Sequence, residues 1–149
     1  MRVMVLVKAT QDSEAEGMPA TDLLEAMGRF NQELIDAGIM RDGAGLRPSA
    51  QGRRVAFDGE QRTVLDGPFA AISELVAGYW LWEVKDMDEA LAWVKRCPNP
   101  MPGPSEIEIR PVYEAEDFDD AMTPEPEGRQ EQVRRDVAAI EDDSPAEMS

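Results

Sequence analysis

Asp66-Gly67-Pro68-Phe69 is the stretch of this chain with the most chemistry to offer. A carboxylate at a strand end beside a cleft can act as general acid or base when burial raises its pKa, which makes Asp66 the candidate catalytic group. The same residue also reads as a turn cap. There it would accept backbone N–H bonds, which would lower its pKa instead, and Asp-Gly-Pro is a turn signature in its own right. Gly67, Pro68 and Phe69 continue the candidate ligand cleft, and Tyr79 joins it from the aromatic run Gly78-Tyr79-Trp80-Leu81-Trp82. Ser49, after Pro48, is either a ligand-binding or a turn hydroxyl. Gly43 and Gly45 mark a bulge, or a place where a ligand meets the backbone.

What the chain lacks is as informative. It has no histidine, so Ser-His and Cys-His nucleophiles and a His-Asp proton relay are unavailable. Its one cysteine, Cys97, sits at a helix C-terminus, where the dipole disfavours a thiolate, and reads as inert. One cysteine allows no intrachain disulfide, which fits a reducing cytoplasm. No metal site or cofactor motif is expected, because histidine and clustered cysteine are missing and no acidic loop has calcium-binding spacing. Arg47, Arg53, Arg54 and Arg62 form either a basic rim for an anionic ligand or a solvated hairpin face.

Charge narrows the partners. The formal net charge is −16 over 149 residues, and residues 114–149 carry 13 acids against 3 bases. Such a surface repels phosphate backbones, so nucleic acid is not an expected partner. No run of 18 apolar residues exists to span a membrane. The N-terminal Met1-Arg2-Val3-Met4-Val5-Leu6-Val7 run is too short for a secretory signal and reads as a strand.

The elements that must position these groups follow from periodicity. Residues 2–9 are a strand, and 11–19 a loop. A helix capped by Thr21 or Asp22 carries Leu23, Leu24, Met27, Phe30, Leu34 and Ile35 at helical spacing and ends at Asp36-Ala37-Gly38. A glycine-broken strand spans 38–46, and Pro48 to Gly52 is a turn. Arg54-Val55-Ala56-Phe57 and Arg62-Thr63-Val64-Leu65 flank Asp58-Gly59 as a β-hairpin. Pro68 to Val76 reads as a short helix or turn with proline in its first turn, and Ala77 to Val84 as a central strand. A helix opened by Asp86-Met87-Asp88-Glu89 runs to about Arg96 with Ala90, Leu91, Trp93 and Val94 on its buried face. Ile107 to Tyr113 closes the set.

This order predicts an α+β, ferredoxin-like split β-α-β sandwich with an added β-hairpin. Two helices cover one sheet face. The other is left for a second subunit, hence an expected homodimer. Residues 1–113 form the expected domain. Residues 114–149 form an acidic, largely flexible tail in which Gln130 to Ile140 has room for a short helix.

The landmarks also resemble a known family. Ala37-Gly38-Ile39, Gly45-Leu46-Arg47-Pro48, Asp66-Gly67-Pro68-Phe69, Gly78-Tyr79-Trp80-Leu81, Asp88-Glu89-Ala90, Arg96-Cys97-Pro98 and Glu106-Ile107-Glu108-Ile109-Arg110-Pro111 stand in the order of the YCII-related family, in its DGPF-motif branch. The resemblance implies a ferredoxin-like fold forming a dimeric α/β barrel, with a cleft at the sheet's edge. It also implies small enzymes among some members and association with extracytoplasmic-function sigma factors among others. Two departures stand out: Ala44 and Ala71 occupy positions where the family usually has glutamate. The expected function is therefore a small-molecule-binding or regulatory module with its cleft at the DGPF motif. The alternative is a small lyase- or isomerase-like enzyme using Asp66.

Overall fold

The computed structural model describes residues 1–15 and 19–118. Strand β1 (Arg2–Lys8) alternates buried and half-buried residues along its length, the pattern of a strand with one face on a core. Its valines at 3, 5 and 7 lie opposite Trp82, Trp80 and Gly78 of β5 (Val76–Glu83). On its other side they lie opposite Pro111, Ile109 and Ile107 of β6 (Ile107–Pro111). β2 (Met40–Gly45) pairs with the far edge of β5. All pairings are antiparallel and the sheet order is β2-β5-β1-β6. That is the order of a ferredoxin-like sandwich, with the aromatic strand inside the sheet as expected.

Helices α2 (Thr21–Asp36) and α3 (Met87–Arg96) supply the rest of the core, mainly through Phe30, Leu34 and Ala90. Phe30 meets Trp80, Trp82 and Trp93 edge to face, with ring centroids 6.0 to 6.4 Å apart, the geometry that the aromatic quadrupole favours. Trp80 Nε1 donates to Asn31 Oδ1 at 2.9 Å. Trp82 Nε1 finds no acceptor among the described residues. The registers place Leu81 beside Met4, and Tyr79 beside Leu6, on the face away from these helices. That face is only partly shielded.

Several local expectations need correcting. Gln11–Glu14 is a helical turn, α1, inside the segment expected to be loop. Thr10 and Ser13 cap it reciprocally, a signal too short to show as hydrophobic periodicity. Helix α2 has Ala20 as its N-cap, with no side-chain cap, so Thr21 and Asp22 lie inside its first turn. Leu24 and Ile35 are exposed. They stand one position round the helix from Leu23 and Leu34, and the stripe through Met27, Phe30 and Leu34 is too narrow to include them. Leu91 is exposed for the same reason, beside buried Ala90. Pro68 starts no helix. It follows a cis peptide bond, and the segment 68–76 expected to be a short helix or turn holds the 3-10 turn Ile72–Glu74.

The hairpin is where its Asp-Gly turn placed it. β3 (Arg53–Asp58) and β4 (Gln61–Asp66) form a separate two-stranded sheet, with Gly59 at φ 57° in the turn. Every residue of both strands is exposed. The chain divides after Val112. Taken by itself, the following stretch has a 3-10 turn at Ala115–Phe118 and the Tyr113 ring 5.1 Å from that of Phe118. The tail expected beyond, including the helix at 130–140, lies outside the described residues.

Candidate functional site

The Asp-Gly-Pro-Phe stretch forms the root of the hairpin. Asp66 is the last residue of β4 and faces Arg53, the first of β3. The Arg53 Nε lies 2.9 Å from Asp66 Oδ1, and the aspartate side chain is 76% exposed. Its carboxylate is thus committed to an ion pair in open solvent. The amide of Phe69 is capped by a different group, the Ser49 hydroxyl, at 3.1 Å.

Ser49 is the centre of a clamp. It begins the 3-10 turn Ser49–Gln51, and its amide donates to Glu14 Oε2 at 2.8 Å. Its hydroxyl donates to Glu14 Oε1 while accepting from Phe69. A single serine therefore joins α1, the 3-10 turn and the motif. Gly67 closes the clamp. Its amide donates to the Gly52 carbonyl at 3.1 Å, and a Cβ at this position would stand 2.7 Å from the Ser49 carbonyl carbon. Glycine is required here by close approach, with nothing in its φ to demand it. The Arg54 guanidinium covers the Phe69 ring at 3.9 Å, a cation–π contact between hairpin and motif.

The remaining candidates separate into a second group on the sheet. Tyr79 lies on the face away from the helices, beside Ala44 in the register, and its hydroxyl donates to Asp42 Oδ2 at 3.3 Å. The neighbouring Asp42 carboxylate raises the Tyr79 pKa, with desolvation and the hydrogen bond adding to it. Gly43 faces the core instead. A Cβ there would meet Trp80 Cδ1 at 2.8 Å and Met40 Cε at 3.1 Å, so tryptophan packing accounts for this glycine. Around Gly45 there is open space. The bulge itself falls between Met40 and Asp42, before both glycines.

The four arginines do not converge on one point. Arg47 donates to Gln51 at 3.2 Å, Arg53 pairs with Asp66, Arg54 covers Phe69 and Arg62 covers Phe57 at 4.5 Å. Cys97 is half-buried, and burial pushes its thiol up to about 11. Among the described residues no group of three or more Cys, Asp or Glu side chains is placed to hold a metal ion. Nor is any helix long and apolar enough to cross a membrane. A shallow groove of about 520 Å³ lies elsewhere, along α3 between Lys85, Glu89, Trp93 and Arg96. Two of its side chains have partners: Glu89 accepts from the Lys85 amide and Arg96 donates to Glu33.

Sequence reasoning missed Glu14. Nothing in its surroundings marks it, because its partner Ser49 is 35 positions away. The only available signal was an acid in a segment otherwise read as loop.

A four-stranded antiparallel sheet in the order β2-β5-β1-β6, under two helices and with a hairpin rooted by an Asp-Gly-Pro-Phe clamp, defines a ferredoxin-like α+β domain. The chain belongs to the YCII-related family, whose model, described as the YCII-related domain, matches residues 1–116. It is also similar to an uncharacterized protein of Rhizobium meliloti (strain 1021). The two are 26% identical over 90 residues, covering 60% of this chain and 73% of that protein.

Proposed function

We propose that this chain is a small-molecule-binding or regulatory module of the DGPF-motif branch, and that it works as a homodimer without catalysing a reaction. The observation that carries this reading is the employment of its carboxylates. Asp66 is ion-paired in solvent, both oxygens of Glu14 are taken by Ser49, and alanine stands at 44 and 71. A general acid or base needs a carboxyl group free to reach substrate. None of these is.

The binding surface in this reading is the sheet face bearing Tyr79, Ala44, Leu6, Met4 and Leu81. A second subunit laid on that face would turn it into an enclosed, partly apolar cleft and complete the dimeric α/β barrel. The domain proper is residues 1–113 and the acidic segment from 114 is an appendage to it. The setting is cytoplasmic, and a sigma-factor pathway is the regulatory context that the family resemblance suggests.

A thermal-shift screen of the full chain against small carboxylic acids and sugar phosphates tests this. A ligand at about a hundred times its Kd contributes about 2.7 kcal/mol, several degrees in Tm for a domain of this size. Tyr79→Phe is expected to shrink the shift and Asp66→Asn to leave it intact. Turnover of any compound that Asp66→Asn abolishes would establish the enzymatic alternative instead.

A further inference from the structure

The hairpin presents a surface that the preceding reading does not use. Cross-strand pairs sort its residues into two faces. One carries Arg53, Val55 and Phe57 from β3 opposite Asp66, Val64 and Arg62 from β4. On this face Phe57 is 72% and Val64 63% exposed. Two strands alone are marginal in water and need something packed on one side, and exposed apolar residues on a free hairpin invite association. The hairpin is nevertheless firmly held at its root by the Ser49 clamp and by Arg54 over Phe69, so it is a presented arm.

The order of charges along β4 says what fits there. Arg62, Val64 and Asp66 follow one another on the same face, positive, apolar, negative. A two-fold axis over Val64 maps this row onto its own complement. Val64 meets Val64 of the second copy, while Arg62 meets its Asp66 and Asp66 its Arg62. Self-complementarity of this kind is what a symmetric contact between identical chains requires. Face-to-face strands stack about 10 Å apart, a gap that an arginine and an aspartate reach across together. Arg53 engages one oxygen of Asp66 and Arg62 spends one nitrogen, Nη1, on the Gly59 and Gln61 carbonyls, which leaves the second carboxylate oxygen and the other face of the guanidinium for the facing copy.

We infer that the β3–β4 hairpin is a self-association arm that stacks on the same hairpin of a second copy through Val55, Phe57 and Val64, with Arg62 and Asp66 paired reciprocally across the two-fold axis. The contact is separate from the sheet face, so where both form, the hairpins join sheet-face dimers in pairs. A single hairpin face is smaller than the ~800 Å² per partner of a standard interface, and the association is concentration-dependent.

Sedimentation velocity of the full chain over a concentration series reads this directly. Wild type is expected to show a species that halves in mass on dilution. Val64→Asp is expected to remove that species, with an unchanged circular dichroism melt because the side chain is exposed. Arg62→Glu alone is expected to remove it as well, by setting two acids against each other. Arg62→Glu combined with Asp66→Lys restores opposite charges across the axis and is expected to bring it back. Asp66→Lys also sets a like charge opposite Arg53, a small cost at an exposed site, and a circular dichroism melt of the double variant matching that of Arg62→Glu shows that the hairpin root holds. An unchanged mass distribution in Val64→Asp overturns the proposal, as does a double variant no better than Arg62→Glu. Either result assigns the hairpin face to some other occupant.

Discussion

Replacing Gly67 by alanine probes the clamp with a single methyl group. The new Cβ would lie 2.7 Å from the carbonyl carbon of Ser49 and 3.3 Å from the Cα of Ala50. Both are backbone atoms, which no rotamer change can clear, so the two segments must part. Separation threatens three hydrogen bonds: Gly67 N–H to Gly52 at 3.1 Å, Phe69 N–H to Ser49 Oγ at 3.1 Å, and Ser49 N–H to Glu14 at 2.8 Å. Neutral bonds contribute about 1 kcal/mol each and one to a carboxylate somewhat more, so the expected loss is about 3 kcal/mol. Urea unfolding of the full chain measures it, and amide exchange at Gly67, Phe69 and Ser49 shows where it arises. Gly45→Ala is the control, since a Cβ there meets nothing within 4 Å, and it should stay within about 0.5 kcal/mol of wild type. A Gly67→Ala protein as stable as that control, with unchanged exchange at the three amides, would refute the clamp.

Three further expectations concern the core and the two perturbed groups. Leu34 is fully buried and Ile35 is 54% exposed, so Leu34→Ala should cost about 2–5 kcal/mol and Ile35→Ala no more than about 0.5 kcal/mol, both read by urea unfolding. With its thiol pushed up to about 11, Cys97 should alkylate with iodoacetamide at pH 8 roughly two orders of magnitude more slowly than a free cysteine near pKa ~8.5; its rate should climb as pH rises toward 11, and ordinary reactivity at pH 8 would contradict its burial. Removing the Asp42 charge by Asp42→Asn should lower the Tyr79 pKa, because that carboxylate is the first cause of its rise. A spectrophotometric titration follows the phenol, and no movement would mean that the two side chains do not meet.

Where one residue's signal stands close to its structural consequence, the sequence was readable. The Val- and Leu-rich run over residues 2–9 marked β1, and Asp58-Gly59 marked a hairpin whose turn glycine has φ 57°. Asp86 before Glu89 marked the start of α3, where the Asp86 side chain does accept the Glu89 amide. What could not be read depends on groups far apart in the chain. Asp66 looked like either a catalytic group or a cap for the residues after it. Its partner proved to be Arg53 across the hairpin, and the cap came from Ser49, 20 positions from Phe69. Helix faces were over-read by one residue at Leu24, Ile35 and Leu91, because periodicity gives the direction of a stripe and tertiary packing gives its width.

Each member of the Asp-Gly-Pro-Phe stretch that makes a polar contact or a close approach does so to hold the hairpin root. Asp66 ties β4 to β3, Gly67 admits the Ser49 carbonyl, and Phe69 takes the serine hydroxyl on its amide and an arginine on its ring. Such residues would be needed at these positions even in a protein with no reaction to catalyse. The motif's contacts are therefore accounted for by the hairpin root. What it does imply is mechanical: twelve exposed strand residues, with Phe57 and Val64 among them, are fixed to the body of the domain at one end. A structure that commits a glycine, a serine and two carboxylates to holding an arm steady makes sense when the arm has a surface to meet.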